Sequence, residues 1–134
     1  MKVLLVDDDS ITHEIISAFF QRYGQEHDTY VDIKALYDPV QGLLELASSG
    51  SQYEIILLDV RLPKLTGDEI YKSIAKKMPS LLGKVVFITA SPEQLHNKLP
   101  NRDLRVLGKP FRYDSFKFQV SDIYQQQVSA QHSA

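Results

Sequence analysis

Short apolar runs alternate with segments of helical periodicity along the whole chain. Three of the runs are continuous, which is typical of strands covered on both faces of a parallel sheet. A fourth run alternates apolar with polar residues, and a fifth is the weakest. The predicted strands are residues 3–6, 30–37, 55–58, 85–88 and 104–107.

Start and stop signals bound the predicted helices between these strands. Asp38, Thr66 and Ser91 stand at N-cap positions, each followed by an acid or amide in the first turn. Gly24 and Gly50 are predicted to end the first two helices. The predicted helices are residues 10–23, 39–49, 67–77 and 113–124, with one helix of only two turns between Pro92 and Pro100.

The alternation of five strands with helices predicts a doubly wound α/β fold with a five-stranded parallel sheet. Right-handed crossovers place helices on both faces of such a sheet. Ligands of these folds bind beyond the carboxyl ends of the strands. The residues that directly follow each apolar run are therefore the first candidates for function.

Composition narrows the classes of protein. The 134 residues suffice for one domain with an ordinary core. A net charge of −2 argues against nucleic-acid binding, because such domains are usually basic. The absence of cysteine excludes disulfides, thiol nucleophiles and Cys-ligated metals. No apolar run approaches the length of a membrane span or of a secretion signal, so we expect a soluble cytoplasmic domain.

Polar residues with complementary chemistry follow four of the predicted strands. Asp7 and Asp8 follow the first strand, Asp59 the third, Thr89 the fourth and Lys109 the fifth. Two carboxylates about 4 Å apart repel by roughly 4 kcal/mol at an effective dielectric near 20, so such a cluster requires a cation or bound protons. Oxygen ligands favour Mg²⁺, and a lysine and a hydroxyl suit a phosphoryl group.

A purely structural role is the alternative for each of these residues taken alone, because an Asp at a strand end is often a helix cap. We prefer that role for Asp9, which directly precedes the first predicted helix. The joint placement of the other residues at four strand ends favours a functional site.

Four segments carry a resemblance to a known family: LLVDDD (4–9), ILLDVRLPKLTG (56–67), VVFITAS (85–91) and LGKPF (107–111). In order and spacing they resemble the receiver domain of two-component response regulators. The resemblance covers residues 1–124 and leaves 125–134 as a flexible tail. It implies a flavodoxin-like sheet with strand order 2-1-3-4-5.

The resemblance also implies roles for the acidic residues. Asp59 matches the aspartate that accepts a phosphoryl group. Asp7 and Asp8 match the acidic pair that organises Mg²⁺, with Asp8 as a direct ligand and Asp7 as an indirect one. The backbone carbonyl of Arg61 matches a further metal ligand.

Residues in the other matching segments have implied roles as well. Thr89 matches the hydroxyl that bonds the phosphoryl group, and Lys109 matches the family's lysine. The peptide bond between Lys109 and Pro110 matches a cis bond. Pro63 and Gly67 match the turn that leads into the third helix.

The implied function is phosphorelay signalling. A histidine kinase or histidine phosphotransfer protein donates the phosphoryl group, and the domain catalyses only its own phosphorylation and dephosphorylation. We expect either a free-standing regulator that acts on an unknown output protein or a phosphate relay or sink, without direct contact to nucleic acid or membrane. Whether it forms a homodimer stays open.

One departure from the family stands in the fifth strand, where Val106 occupies a position that usually holds a switching aromatic residue. Three other functions are alternatives to this one. A phosphorylation-independent pseudo-receiver is the main alternative. A small aspartate-dependent phosphatase is disfavoured by Ile11 in its motif, and a nucleotide or flavin module lacks the required glycine pattern.

Overall fold

Five parallel strands form one sheet in the computed structural model, which describes residues 1–61 and 64–132. The order β2-β1-β3-β4-β5 confirms the predicted doubly wound, flavodoxin-like sheet. The strands are β1 (Lys2–Val6), β2 (Asp32–Leu36), β3 (Ile55–Asp59), β4 (Val85–Thr89) and β5 (Arg105–Gly108). The helices are α1 (Ser10–Glu26), α2 (Pro39–Ser49), α3 (Gly67–Lys77), α4 (Pro92–Lys98) and α5 (Tyr113–His132).

The core lies on both faces of the sheet, and this explains the continuous apolar runs. Successive residues of β1 alternate between the faces: Leu4 belongs to the buried cluster that includes residues of α2, α3 and α4, whereas Leu5 belongs to the cluster that includes residues of α1 and α5. Both side chains are fully buried, as are those of β3 that flank them. Among the described residues, no helix combines the length and the apolar character that crossing a membrane requires.

Side-chain caps fix where the first helices begin. Asp9 accepts a hydrogen bond from the Ile11 N–H at 2.9 Å, which confirms its role as the N-cap of α1. Asp38 caps α2 in the same way. Ser91 is the N-cap residue of α4, as predicted, but its side chain makes no capping hydrogen bond to the helix. The shortness of α4, at seven residues, is confirmed.

Two predicted helix ends are wrong. Helix α1 continues through Gly24 to Glu26. Helix α5 continues to His132, so residues 125–132 are helical and not a tail. The Gln127 amide donates to the Glu54 carbonyl at 2.8 Å. A search for apolar periodicity misses this polar contact between the last helix and the rest of the fold.

Gly24 is required by a close approach rather than by a helix end. A Cβ atom at this position would lie 2.5 Å from the backbone oxygen of Thr29. The Thr29 N–H also donates to the Gly24 oxygen at 2.9 Å, so the loop after α1 folds directly against the glycine. The glycine therefore allows the loop to turn back towards β2.

We expect Gly24→Ala to lower the free energy of unfolding by about 1–3 kcal/mol, because the clash outweighs the gain of about 1 kcal/mol in helix propensity. Urea denaturation measures the change. Gly83→Ala is the matched control, since a Cβ there would meet nothing within 4 Å. If Gly24→Ala left the protein as stable as the wild type, the loop would yield without strain.

Candidate functional site

Three carboxylates converge at the carboxyl edge of the sheet. Asp7 directly follows β1, and Asp59 is the last residue of the adjacent strand β3. One oxygen each of Asp7, Asp8 and Asp59 lies within 4.8 Å of the others. Asp7 and Asp59 are buried and Asp8 is exposed, so the cluster opens to solvent on one side.

Lys109 places a positive charge against the two buried carboxylates. Its Nζ atom lies 3.6 Å from Asp7 Oδ2 and 3.9 Å from Asp59 Oδ2. The lysine follows β5, and its N–H donates to the Thr89 oxygen at 2.7 Å. The peptide bond between Lys109 and Pro110 is cis, as the resemblance implied.

Backbone N–H groups hold the other oxygens of both buried carboxylates. Asp7 Oδ1 accepts from the Asp9 N–H at 2.8 Å, and Asp59 Oδ1 accepts from the Arg61 N–H at 3.1 Å. Asp7 Oδ2 is buried and accepts no hydrogen bond from the described residues. It is thus available to a cation or to a water molecule held by one.

Burial is the main reason why the pKa of Asp59 is raised from 3.8 to about 6, and the negative charge of Asp7 contributes in the same direction. The Arg61 N–H and the Lys109 ammonium group act in the opposite direction and offset part of the increase. Since the pKa remains near 6, the Asp59 carboxylate is mostly ionised at neutral pH.

These residues fit a hard divalent cation. At this cluster the described residues supply only oxygen donors, and such a set suits Mg²⁺ better than a transition metal. The orphaned Oδ2 atom of Asp7 and the exposed carboxylate of Asp8 supply ligands or water contacts. The assignment of the Arg61 carbonyl as a ligand stays a prediction.

Thr89 ends β4, between the strands that carry Asp59 and Lys109. It is buried, and its Oγ1 atom accepts a hydrogen bond from the Ser91 N–H at 3.0 Å. Because that bond uses only a lone pair, the hydroxyl hydrogen is available to an acceptor at the site.

Gly67 brings the start of α3 against the backbone of Asp59. A Cβ atom at Gly67 would lie 2.6 Å from the Asp59 oxygen, so only glycine fits this approach. The N–H of Gly67 also donates to the Val60 oxygen at 3.2 Å. Pro63 lies outside the described residues, and its predicted part in this turn stays a prediction.

His13 lies next to the site, and the sequence analysis assigns it no role there. Its ring is buried and stacks on Tyr37 with the centroids 4.0 Å apart. Its Nε2 atom lies 2.6 Å from the Asp7 carbonyl oxygen. A carbonyl only accepts, so Nε2 carries the hydrogen and the bond ties α1 to the end of β1. The helical spacing of His13 with the buried residues Ile16 and Phe20 was the available signal.

We expect His13→Leu to lower the free energy of unfolding by about 1–3 kcal/mol, because the buried Asp7 carbonyl loses its donor. His13→Gln is the matched variant, since its amide offers a donor at a similar reach. Urea denaturation at pH 8 compares the two. Equal losses in both variants would assign the effect to the ring stacking instead.

We expect Asp59→Asn to raise the free energy of unfolding at pH 7.5 by roughly 1–3 kcal/mol in metal-free buffer. The pKa of Asp59 is raised on folding, so the folded state binds more protons than the unfolded state between pH 4 and 6. The stability of the wild type therefore falls as the pH rises through that range, and the gain in the variant shrinks at pH 4.5. Urea denaturation at pH 7.5 and at pH 4.5 measures this gain in the free energy of unfolding, with Asp114→Asn as a distant control. An equal difference at both pH values would contradict the titration of Asp59.

Comparison with known proteins gives consistent results. The sequence model of the response regulator receiver domain family matches residues 3–117 of this chain. The transcriptional regulatory protein CiaR of Streptococcus pneumoniae is 31% identical over 123 residues, which cover 90% of this chain and 50% of CiaR. The osmosensing histidine protein kinase SLN1 of Saccharomyces cerevisiae is 32% identical over 120 residues, which cover 87% of this chain and 10% of the kinase. The chain thus spans half or less of the length of these two relatives.

Solved structures share the fold. The receiver domain of the Francisella response regulator 1452 superimposes with a TM-score of 0.75 at 25% identity, over 94% of this chain and 98% of that one. The receiver domain of the sensor histidine kinase PA1611 from Pseudomonas aeruginosa superimposes with a TM-score of 0.74 at 22% identity, over 90% and 94% of the two chains. That structure has a magnesium ion coordinated in its active-site cleft. By its family match, its fold and the strand-end cluster, this chain belongs to the response regulator receiver domain family, a family of signalling domains.

Proposed function

We propose that this receiver domain accepts a phosphoryl group on Asp59 in a reaction that uses Mg²⁺, and that phosphorylation changes its contacts with other proteins. The observation that carries the proposal is the Lys109 ammonium group lying beside both Asp7 and Asp59 at 3.6 and 3.9 Å. A buried carboxylate with a cation at this distance suits the transfer of a highly charged group, because such transfer depends mainly on alignment and charge neutralisation.

The donor in this proposal is a phosphorylated histidine of a kinase or of a histidine phosphotransfer protein. An oxygen of Asp59 forms a bond to phosphorus while the bond from phosphorus to the histidine nitrogen breaks. The electron pair of the broken bond stays on the imidazole, which leaves as the neutral donor side chain after taking up a proton. Water later attacks the acyl phosphate and releases inorganic phosphate.

Each neighbouring residue has a defined part in this step. Arg61 holds Asp59 Oδ1 through its N–H, which directs the Oδ2 atom towards the donor. Lys109 neutralises charge on the transferred group, and the free hydroxyl hydrogen of Thr89 donates to one of its oxygens. Bound Mg²⁺, held by Asp8 and Asp59 with help from Asp7 and the Arg61 carbonyl, would supply further positive charge.

Relatives support the proposed setting. One is named as a transcriptional regulatory protein and another as a histidine protein kinase, and a related receiver structure contains magnesium. A phosphorelay partner fits these names, and we propose that the domain meets it in the cytoplasm. The pseudo-receiver alternative would require the acids, the threonine and the lysine to be retained without use.

We expect acetyl phosphate with Mg²⁺ to add one phosphoryl group to the wild type, as measured by intact mass. Chelation of Mg²⁺ and Asp59→Asn should each abolish the gain. Lys109→Gln should slow it on the order of 100-fold, because a charge that stabilises the transition state is lost. Asp9→Asn is the matched control, since asparagine caps a helix as well as aspartate does.

Two results would contradict the proposal. If acetyl phosphate, phosphoramidate and a phosphorylated histidine phosphotransfer protein all fail to modify the wild type, the pseudo-receiver alternative is favoured. If the domain instead turns over a small phosphomonoester, it acts as an aspartate-dependent phosphatase.

A further inference from the structure

Strand β2 forms one border of the sheet, and in the described part of the chain no strand pairs with its outer side. The Asp32 N–H donates to Met1, and the Leu36 oxygen accepts from Asp7, so even-numbered residues bond inward to β1. In a parallel pair the intervening residues direct their N–H and C=O groups the other way. Ile33 and Ala35 therefore offer their backbone groups to a further strand.

The side chains along this edge are open to solvent. Asp32, Lys34 and Ala35 are exposed, and Tyr30 just before the strand is 81% exposed. An aromatic side chain as exposed as this one contributes little to the core of its own domain. Charged residues on an edge strand normally deter pairing with other strands. In this strand, however, one acidic and one basic residue alternate, so a second copy of the same strand can bring opposite charges face to face.

The sequence of β2 is complementary to itself when two copies run antiparallel. With Ile33 opposite Ile33 of the second copy, Asp32 stands opposite Lys34 and Lys34 opposite Asp32. The outward backbone groups of the two Ile33 residues then form a hydrogen-bonded pair. The two charge pairs occupy the adjacent non-hydrogen-bonded positions, where opposite side chains lie closest.

The same register also matches the apolar residues. Tyr30 stands opposite Leu36, and Val31 stands opposite Ala35 of the second copy. The neighbouring registers that keep the hydrogen bonds place Asp32 opposite Asp32 or Lys34 opposite Lys34, and like charges directly opposite each other destabilise a sheet. Of these three registers, only the one with Ile33 opposite Ile33 satisfies both the backbone and the charges.

We infer that β2 is a self-association surface, through which two copies of the domain pair antiparallel and join their sheets across a twofold axis. Such an interface is isologous, because the same patch serves both copies. Lys34 already bonds to Glu45 of its own α2 at 3.3 Å, and its ammonium group has further N–H donors for Asp32 of the second copy. The inference goes beyond the proposed function and does not depend on it, because the site residues lie at the ends of other strands.

Analytical ultracentrifugation of the full chain tests this surface with increasing concentration up to the millimolar range. The wild type should approach twice its mass of 15.3 kDa. Asp32→Lys and Lys34→Asp should each raise the dissociation constant about tenfold or more, because every dimer then contains two like-charge pairs. Mixing the two variants should restore association as a heterodimer, since each lysine again faces an aspartate.

Ala35→Pro tests the backbone part of the interface. Proline removes only an outward N–H here and is tolerated on an edge strand, whereas Ala35→Thr keeps the N–H and serves as the matched control. Circular dichroism checks that each variant is folded. Amide exchange should slow with concentration at Ile33 and Ala35, while Asp32 and Lys34 are protected at all concentrations.

Three outcomes would overturn the inference: a wild type that stays monomeric throughout, a dimer that the charge variants leave unchanged, or a mixture of the two variants that fails to associate. Phosphorylation of Asp59 is measured in the same variants by intact mass, and this measurement tests the proposed function separately. Loss of dimer with intact phosphorylation, or the reverse, distinguishes the two failures.

Discussion

The contact of the Lys109 ammonium group with the buried Asp7 and Asp59 carboxylates is the constraint on which the site depends. Two buried negative charges repel each other strongly and are tolerated only with a nearby cation or bound protons. The lysine supplies part of that charge, yet the pKa of Asp59 stays near 6 because burial outweighs it. The negative charge that the lysine leaves unbalanced makes the cluster a suitable place for a metal ion.

The sheet makes this contact possible. Asp59 ends β3 and Lys109 follows β5, with β4 between them, and the bond from the Lys109 N–H to the Thr89 oxygen fixes the spacing. Strands buried on both faces give the carboxyl edge a rigid base, because close-packed interiors have low compressibility. His13 holds the Asp7 backbone, and Gly67 allows α3 to begin against Asp59.

The pairing of β2 with β1 and the outward backbone groups of β2 both result from the position of β2 at the border of the sheet. Its inner side must pair with β1 to place Asp7, and this pairing turns alternate backbone groups outward. Charged side chains are a common protection of edge strands. The alternation of Asp32 and Lys34 protects the edge against unrelated strands and still permits pairing with its own copy. The proposed self-association and the proposed phosphorylation then use different borders of one sheet.

Local sequence determined the strands, the caps at Asp9 and Asp38 and the membership of the strand-end cluster, because apolar continuity and capping chemistry act over a few residues. It could not determine that α1 passes through Gly24, since that depends on the Thr29 backbone folding back onto the helix. It also could not show that His13 bonds to Asp7 or that Gln127 of α5 bonds to Glu54, because the residues of each contact meet only in the folded chain. The distances at Lys109 and the outward groups of β2 likewise arise only when the strands take their places in the sheet.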